Sequence, residues 1–405
     1  MLPTPTDDPR ADLDAAVREA FERAQVPWLR ALVDTPSCTR APDDVEAAAR
    51  LLDAEAERLG LAVARHPDPE GRFADHRVYA TPAAGDGPAL ALVGHVDTVF
   101  PRALGFLTFT REGDVIRGPG VLDMKSGLSA ILFALRALQA VDGEAFGRLR
   151  ARVVIATDEE VGSPSSAALY RRLAPATTRA LVFEAGREED RIVTSRKGGA
   201  AFVVEVRGRA AHAGNHHAEG VSAIHGLSLI VPRLEAITDP GRGVTVNVGL
   251  VEGGTAKNTV PDRARAEVDA RFVDPADGPP LEAAVRSAVQ APWPPDAPAQ
   301  LARLEVRRTG GITRPPMTAT VGSQALRRRY EAHAAAVGLR TGEAPRQGGG
   351  SDANLLSGAG VPSIDGLGPY GRHFHRTDEW SSLDSLRRRT AALARFLHEE
   401  AQEAP

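Results

Sequence analysis

The sequence predicts an α/β domain on a mixed sheet, interrupted by an inserted α+β unit. Three observations carry this expectation. Short, continuously apolar runs, "ALALVG" (89–94), "RVVIAT" (152–157) and "ALVFEA" (180–185), alternate with helical stretches near 126–140 and 165–173. Strands without polar alternation are buried on both faces of a parallel or mixed sheet. From Thr194 the texture changes: "GGAAFVVEVRGRAAH" (198–212), "VTVNVGLVEG" (244–253) and "ARAEVDARFV" (264–273) alternate, as half-solvated strands do. After "RRTGGITRPPM" (307–317) helices and short strands return. The expected division is 1–193 and 310–405 for the interrupted domain, with 194–309 as the insert.

Taken in order, residues 11–34 read as an amphipathic helix, with Leu13, Val17, Phe21, Val26, Leu29 and Leu32 at mostly three-to-four spacing. Residues 44–59 repeat the pattern, and Gly60 is a C-terminal stop. Within the insert, helices near 218–234 and 280–290 accompany an antiparallel sheet. The Pro-rich "APWPPDAP" (291–298) reads as a loop. Helices at 320–337, 352–358 and 382–400 complete the interrupted domain.

Composition narrows the function. The chain of 405 residues is 42% hydrophobic and 25% charged, as ordinary globular proteins are. A net charge of −4 gives no reason to expect a nucleic-acid partner. A single cysteine, Cys38, excludes an internal disulfide and a thiolate zinc cluster, and reads as a small semi-buried core residue. The stretch "MLPTPTDDPRADLDAAVREA" has no apolar core of a secretory signal. No apolar run approaches the ~18–20 residues that span a bilayer. The expectation is a cytoplasmic protein without a membrane partner.

The apolar runs end in acids and histidines. Ligands of such sheets bind beyond the carboxyl ends of the strands. "LVGHVDTV" (92–99) places His95 and Asp97 two apart, on one side of an extended chain. Asp97 could fix the tautomer of a metal-bound His95; both could equally be loop residues satisfied by local backbone. Asp123 follows "RGPGVL" and precedes a helix, so it is either a ligand or that helix's N-cap. Glu159 and Glu160 are adjacent, and at a strand end one can bind a metal while the other holds a water. Glu184 is a fourth carboxylate in such a place. "GPYGRHFHRTDEW" (368–380) adds His373 and His375. His95, Asp123, Glu160, Glu184 and His375 make two imidazoles and three carboxylates without thiolate. That set suits zinc, with cobalt or manganese as alternatives. Five ligands suit two ions if one carboxylate is shared.

Eight fragments in order, "GHVDTV", "GPGVLDMKSG", "DEEVGS", "FEAGR", "KGGAAFVVEVRGRAAHAG", "NTVPDRARAEVDAR", "GGGSDA" and "HRTDE", cover nearly the whole chain. The chain resembles the dinuclear zinc metallopeptidases and amidohydrolases typified by glutamate carboxypeptidase, with aminoacylase, acetylornithine deacetylase and succinyl-diaminopimelate desuccinylase as relatives. The resemblance implies a zinc-peptidase catalytic domain carrying a ferredoxin-like lid and dimerisation insert, with hinges near 193–197 and 308–312. It implies two Zn²⁺, with His95 and His375 as terminal ligands, Asp123 shared, and Glu160 and Glu184 completing the two sets. Asp97 would orient His95, and Glu159 would be the general base for a metal-activated bridging water. His373 does not match the ligand position. A glutamate at 184 resembles the carboxypeptidase and deacylase branches, whereas aminopeptidase branches usually carry aspartate.

The resemblance also implies that His212, in "RAAHAG", helps bind substrate, and that the insert forms a homodimer. Arg271 and Arg314 are guanidinium forks of the kind that hold carboxylates, or else ordinary salt-bridging arginines. With Asn258 and Gly350 they match positions that the family places around a substrate's free carboxylate. The expected substrate is a small peptide or N-acyl amino acid. The expected reaction is release of a C-terminal amino acid such as glutamate. The alternatives are an N-acyl-amino-acid deacylase and, from another class, a catalytically silent binding protein of the same fold. An intact Glu159 argues against the last.

Overall fold

The computed structural model describes residues 8–403. The first part of the stretch read for a secretory signal, residues 1–7, lies outside the described residues. Two compact units form: Met1–Ser195 with Thr318–Gln347 and Ser351–Pro405, and Arg196–Met317 with Gly348–Gly350. The strands of their main sheets are, in chain order, β1 (Ala62–His66), β2 (His76–Ala80), β3 (Ala89–His95), β4 (Ala151–Ala156), β5 (Thr177–Val182), β6 (Gly198–Arg207), β7 (Thr245–Gly253), β8 (Arg263–Phe272), β9 (Glu305–Arg314) and β10 (Ser363–Ile364).

The first unit holds a six-stranded sheet in the order β1-β2-β4-β3-β5-β10. Strands β4, β3, β5 and β10 run parallel, while β1 and β2 are antiparallel additions at one edge. This is the mixed sheet that the apolar runs predict. Strands β3 and β4 are buried along their whole length, as strands covered on both faces must be. The helix Lys125–Val141 presses close to the sheet. A Cβ at Gly127 would stand 2.1 Å from the carbonyl oxygen of Phe183, so only glycine fits there. The helix expected at 11–34 forms as Pro9–Ala20 and Val26–Asp34 joined by a π-helical turn, Phe21–Gln25. The helix expected at 44–59 is Pro42–Arg58, and Gly60 beyond it has φ +70°. Among the described residues, no helix is long and apolar enough to cross a membrane.

Strands β1 and β2 have no counterpart in the sequence reading, because β2 is buried around a charge rather than around apolar side chains. Arg77 has no exposed surface. Its Nε lies 3.0 Å from Asp53 Oδ1 and its Nη2 lies 2.7 Å from Glu46 Oε1. The Tyr79 hydroxyl donates to Asp53 at 2.9 Å. Removing one partner leaves buried charge uncompensated. Arg77→Ala is therefore expected to lower unfolding stability by about 3–5 kcal/mol, measured by chemical denaturation.

The second unit runs β6, helix Ala223–Glu235, β7, β8, helix Gly278–Gln290, β9. Its antiparallel sheet has the order β7-β8-β6-β9, the ferredoxin-like βαββαβ arrangement. Phe202, Val204, Val206, Val268 and Phe272 pack with Leu227, Ile230, Leu281 and Val285 of the two helices into a core of its own. The predicted boundary at 309 and the predicted hinge at 308–312 fall inside β9, which pairs with β6 from Glu305 to Arg314. The unit therefore extends to Met317. The pair of glycines at 310–311 looks like a break in the sequence. In the structure it lets an edge strand approach closely: Gly310 has φ +89°, and a Cβ there would meet the Ala201 carbonyl oxygen at 2.1 Å.

Candidate metal centre

Parallel strands in register deliver the candidate residues to one end of the first unit's sheet. His95, the last residue of β3, stands opposite Ala156, the last residue of β4. Glu159 and Glu160 follow at once in a 3₁₀ turn, Glu159–Val161. Consecutive side chains on such a turn diverge by about 120°, so the two acids point different ways. Val93 stands opposite Val182 at the end of β5, and Glu184 lies two residues beyond. A second small sheet brings the rest. Val115–Arg117 leads into the loop that ends at Asp123 and pairs with Trp380–Ser382, which pairs with Gly371–Arg372. The turn carrying His375 thus hangs from the same sheet as the loop carrying Asp123.

These residues converge. His95 Nε2 lies 3.4 Å from Asp123 Oδ1 and 3.7 Å from Glu184 Oε1. His375 Nε2 lies 3.4 Å from Asp123 Oδ2 and 3.0 Å from Glu160 Oε2. Asp123 therefore turns one oxygen to each of two imidazole–carboxylate sets. His95, Asp123 and Glu160 also offer ligand atoms within 4.8 Å of one another. His373 turns away and pairs with Asp378 at 3.0 Å.

Buried polar groups hold the cluster in place. The ring Nδ1 of His95 lies 3.0 Å from the Asp97 carbonyl oxygen and 3.4 Å from Asp97 Oδ1. The Asp97 carboxylate accepts from Thr39 Oγ1 at 2.7 Å and from the backbone N–H groups of Glu159 and Glu160 at 3.3 and 3.2 Å. It thereby ties the end of β3 to the turn after β4. Asp158 anchors the far side of that turn, accepting from the Ser165 N–H at 2.7 Å and the Ser166 hydroxyl at 2.5 Å. Glu379 accepts from the backbone of the Asp123 loop. Thr39 and Asp158 escape the sequence reading, because a buried acid or hydroxyl whose partners are other buried polar groups leaves no hydrophobic pattern.

The electrostatics are those of an acid cluster short of positive charge. Burial pushes the Glu160 carboxyl up to about 7, against the pull of His375. Burial, and next the charge of Asp123, hold Glu184 well above the usual carboxylate range. Hydrogen bonds to Asp123 and Glu160 lift His375 to about 10. Burial opposes charge on His95, yet the Asp123 and Asp97 carboxylates beside it raise it well above an ordinary histidine. Protons here do what a cation would do. Two buried atoms aimed into the cluster, His95 Nε2 and Asp123 Oδ1, have no hydrogen-bond partner. With two imidazoles, three carboxylates and no thiolate, the residues fit divalent zinc-type ions.

The remaining sequence candidates lie in the second unit. His212 pairs with Thr259 in a short ladder, and its ring Nδ1 accepts from the N–H groups of Gly214 and Asn215 at 3.2 and 3.1 Å. In the neutral ring the proton then sits on Nε2, which makes Nε2 a donor. Asn258 is exposed, and its carbonyl accepts from the Ala213 N–H at 2.9 Å. Arg271 forms a two-bond fork with Asp269, at 2.9 and 2.8 Å. Arg314 is buried at the end of β9. Gly350 belongs to the short segment Gly348–Gly350 that joins this unit.

Residues 91–399 match the model of peptidase family M20/M25/M40. Carboxypeptidase G2 of Pseudomonas sp. (strain RS-16) is 29% identical over 377 residues, 92% of this chain and 88% of that one. Succinyl-diaminopimelate desuccinylase of Methylobacterium nodulans is 29% identical over 399 residues, 90% of this chain and 94% of that one. Among solved structures, an M20 family metallo-carboxypeptidase from Sulfolobus solfataricus shares the fold, with a TM-score of 0.75 at 18% identity over 94% of this chain and 99% of that one.

Proposed function

The chain belongs to peptidase family M20/M25/M40, a family of metal-dependent hydrolases, and on that premise we propose that it is a dinuclear zinc carboxypeptidase. It cleaves an amide bond next to a free carboxylate and releases a C-terminal amino acid such as glutamate. One observation supports the two-ion reading most: the Asp123 carboxylate lies 3.4 Å from each of two imidazoles, through a different oxygen each time. His95 with Glu184 would hold one ion, His375 with Glu160 the other, and Asp123 both. Bound there, zinc supplies Lewis-acid polarisation of the scissile carbonyl and a water acidic enough to act near neutral pH.

The chain's own residues do the rest. Glu159 accepts the attacking water's proton and returns it to the leaving nitrogen. Asp97 keeps His95 in one orientation. His212, whose Nε2 carries the proton in the neutral ring, donates to the developing oxyanion. Arg271, Arg314, Asn258 and Gly350 receive the substrate carboxylate. For Arg271 this requires exchange of its present fork with Asp269 for the substrate's carboxylate. His212→Ala is expected to lower kcat by about 10²–10³-fold while zinc content stays at the wild-type level. Loss of zinc in that variant, measured by elemental analysis, would show that His212 belongs to the metal site instead.

A deacylase of N-acyl amino acids is the second reading, favoured by the near full-length likeness to the desuccinylase. Mass spectrometry of products from a mixture of dipeptides, folate-like conjugates and N-acyl amino acids separates the two. Free glutamate from the conjugates supports the carboxypeptidase. Acetate or succinate supports the deacylase. No turnover in the zinc-loaded protein contradicts both.

A further inference from the structure

Glu379 is fully buried beside the metal centre, and the partners of its carboxyl lie in one loop. Its partners are backbone N–H groups of one loop. Oε1 accepts from Leu122 at 2.6 Å and from Asp123 at 3.0 Å, and Oε2 accepts from Gly120 at 3.4 Å. Three N–H groups from four consecutive residues thus point at a single carboxylate. Gly118 and Gly120, with φ of +150° and +72°, give the loop the curvature this requires. A concave set of amides favours an anion over a neutral acceptor. Burial pushes the Glu379 carboxyl up to about 8, and the three amides pull against that shift. The nearby Lys125 amine donates to the carbonyl oxygens of Leu32 and Thr35, and burial pushes it down to about 7 against the pull of Glu379.

The loop in question ends in Asp123, and the segment that grips it also carries His375. Two successive turns, Arg376 N–H to the His373 carbonyl at 3.1 Å and Glu379 N–H to the Arg376 carbonyl at 3.0 Å, bring His375 and Glu379 to the same place. His375 meets the Asp123 side chain at 3.4 Å, while Glu379 holds the Asp123 backbone at 3.0 Å. We propose that Glu379 is the positioning residue of the shared ligand: it fixes the backbone of Asp123, and couples the placement of that carboxylate to that of His375. The inference rests on the reading of Asp123 as a ligand to both ions. Freed from Glu379, the loop would let Asp123 swing about more than its own side-chain torsions, and its two oxygens would no longer address both imidazoles.

The test is zinc titration of the full-length protein and its Glu379→Ala and Glu379→Asp variants, with melting of the zinc-free and zinc-loaded forms. Glu379→Ala is expected to weaken zinc binding by about 10–100-fold, the usual effect of losing a group that orients a ligand. Its kcat should fall with KM little changed. Zinc should then raise its melting temperature less than it raises the wild type's. A merely structural role would lower both melting temperatures equally and leave zinc affinity alone. Should Glu379→Ala fail to fold, Glu379→Asp decides: it keeps the carboxyl group but withdraws it by one methylene, and about tenfold weaker zinc binding is expected. Wild-type zinc affinity in the folded variant overturns the proposal. Asp123→Ala serves as the control. If Asp123→Ala also binds two zinc ions normally, the ligand reading has failed; if it loses zinc while the Glu379 variants do not, only the present inference has.

Discussion

Glu159→Gln is expected to bind zinc as the wild type does and to lose turnover by about 10²–10⁴-fold, the span that a positioned general base contributes. The substitution keeps size and hydrogen-bonding shape but removes the group that can take a proton. Glu159 is well suited to separate the two functions. It sits on the 3₁₀ turn next to Glu160, and its backbone N–H is held by Asp97. The metal-facing contacts belong to its neighbour, whose Oε2 lies 3.0 Å from His375 Nε2. Folding and metal loading should therefore survive, while the proton has nowhere to go. Paired measurement of kcat and bound zinc checks this. A variant with near-wild-type kcat would remove Glu159 from the reaction, and one without zinc would move it into the ligand set.

Asp123→Ala should have the other large effect, and an opposite signature: metal and activity lost together. Each imidazole faces one of its oxygens, so both half-sites lose a ligand at once. Groups that only orient ligands cost about 10–100-fold in affinity when removed, so the loss of a shared ligand should exceed 100-fold. His95→Ala, by contrast, strips one half-site and should leave one equivalent of metal with His375, Glu160 and Asp123. Two equivalents retained by Asp123→Ala in equilibrium dialysis would break the two-ion reading.

Much of the fold and most of this cluster could be read in the sequence, for one physical reason. Apolar runs must be buried, and an acid or histidine at the end of such a run must come out in a cleft or find a counter-ion. His95, Glu160 and Glu184 announce themselves in this way at the ends of β3, β4 and β5. The sequence leaves Asp123 open between ligand and helix N-cap; in the structure the cap of Lys125–Val141 is Met124, and the two Asp123 oxygens face His95 and His375. What stayed hidden was held by polar burial. Strand β2 is anchored by Arg77, Asp53 and Glu46 and so shows no apolar run. Strand β9 reads as a boundary because Gly310 and Gly311 mimic a break. Glu379, in "HRTDE", is legible only as the residue four positions after His375; its three amide partners leave no pattern in the sequence. For Arg271 the sequence leaves a substrate fork and a salt bridge open, and the structure shows the fork paired with Asp269, two residues away.

The most direct test of the whole account is crystallography of zinc-loaded protein with anomalous data collected at the zinc edge. Two peaks are expected, one between His95 and Glu184 and one between His375 and Glu160, with Asp123 touching both. A fully loaded, active crystal with no peak in this cluster, or with a single ion that Asp123 does not reach, would contradict it.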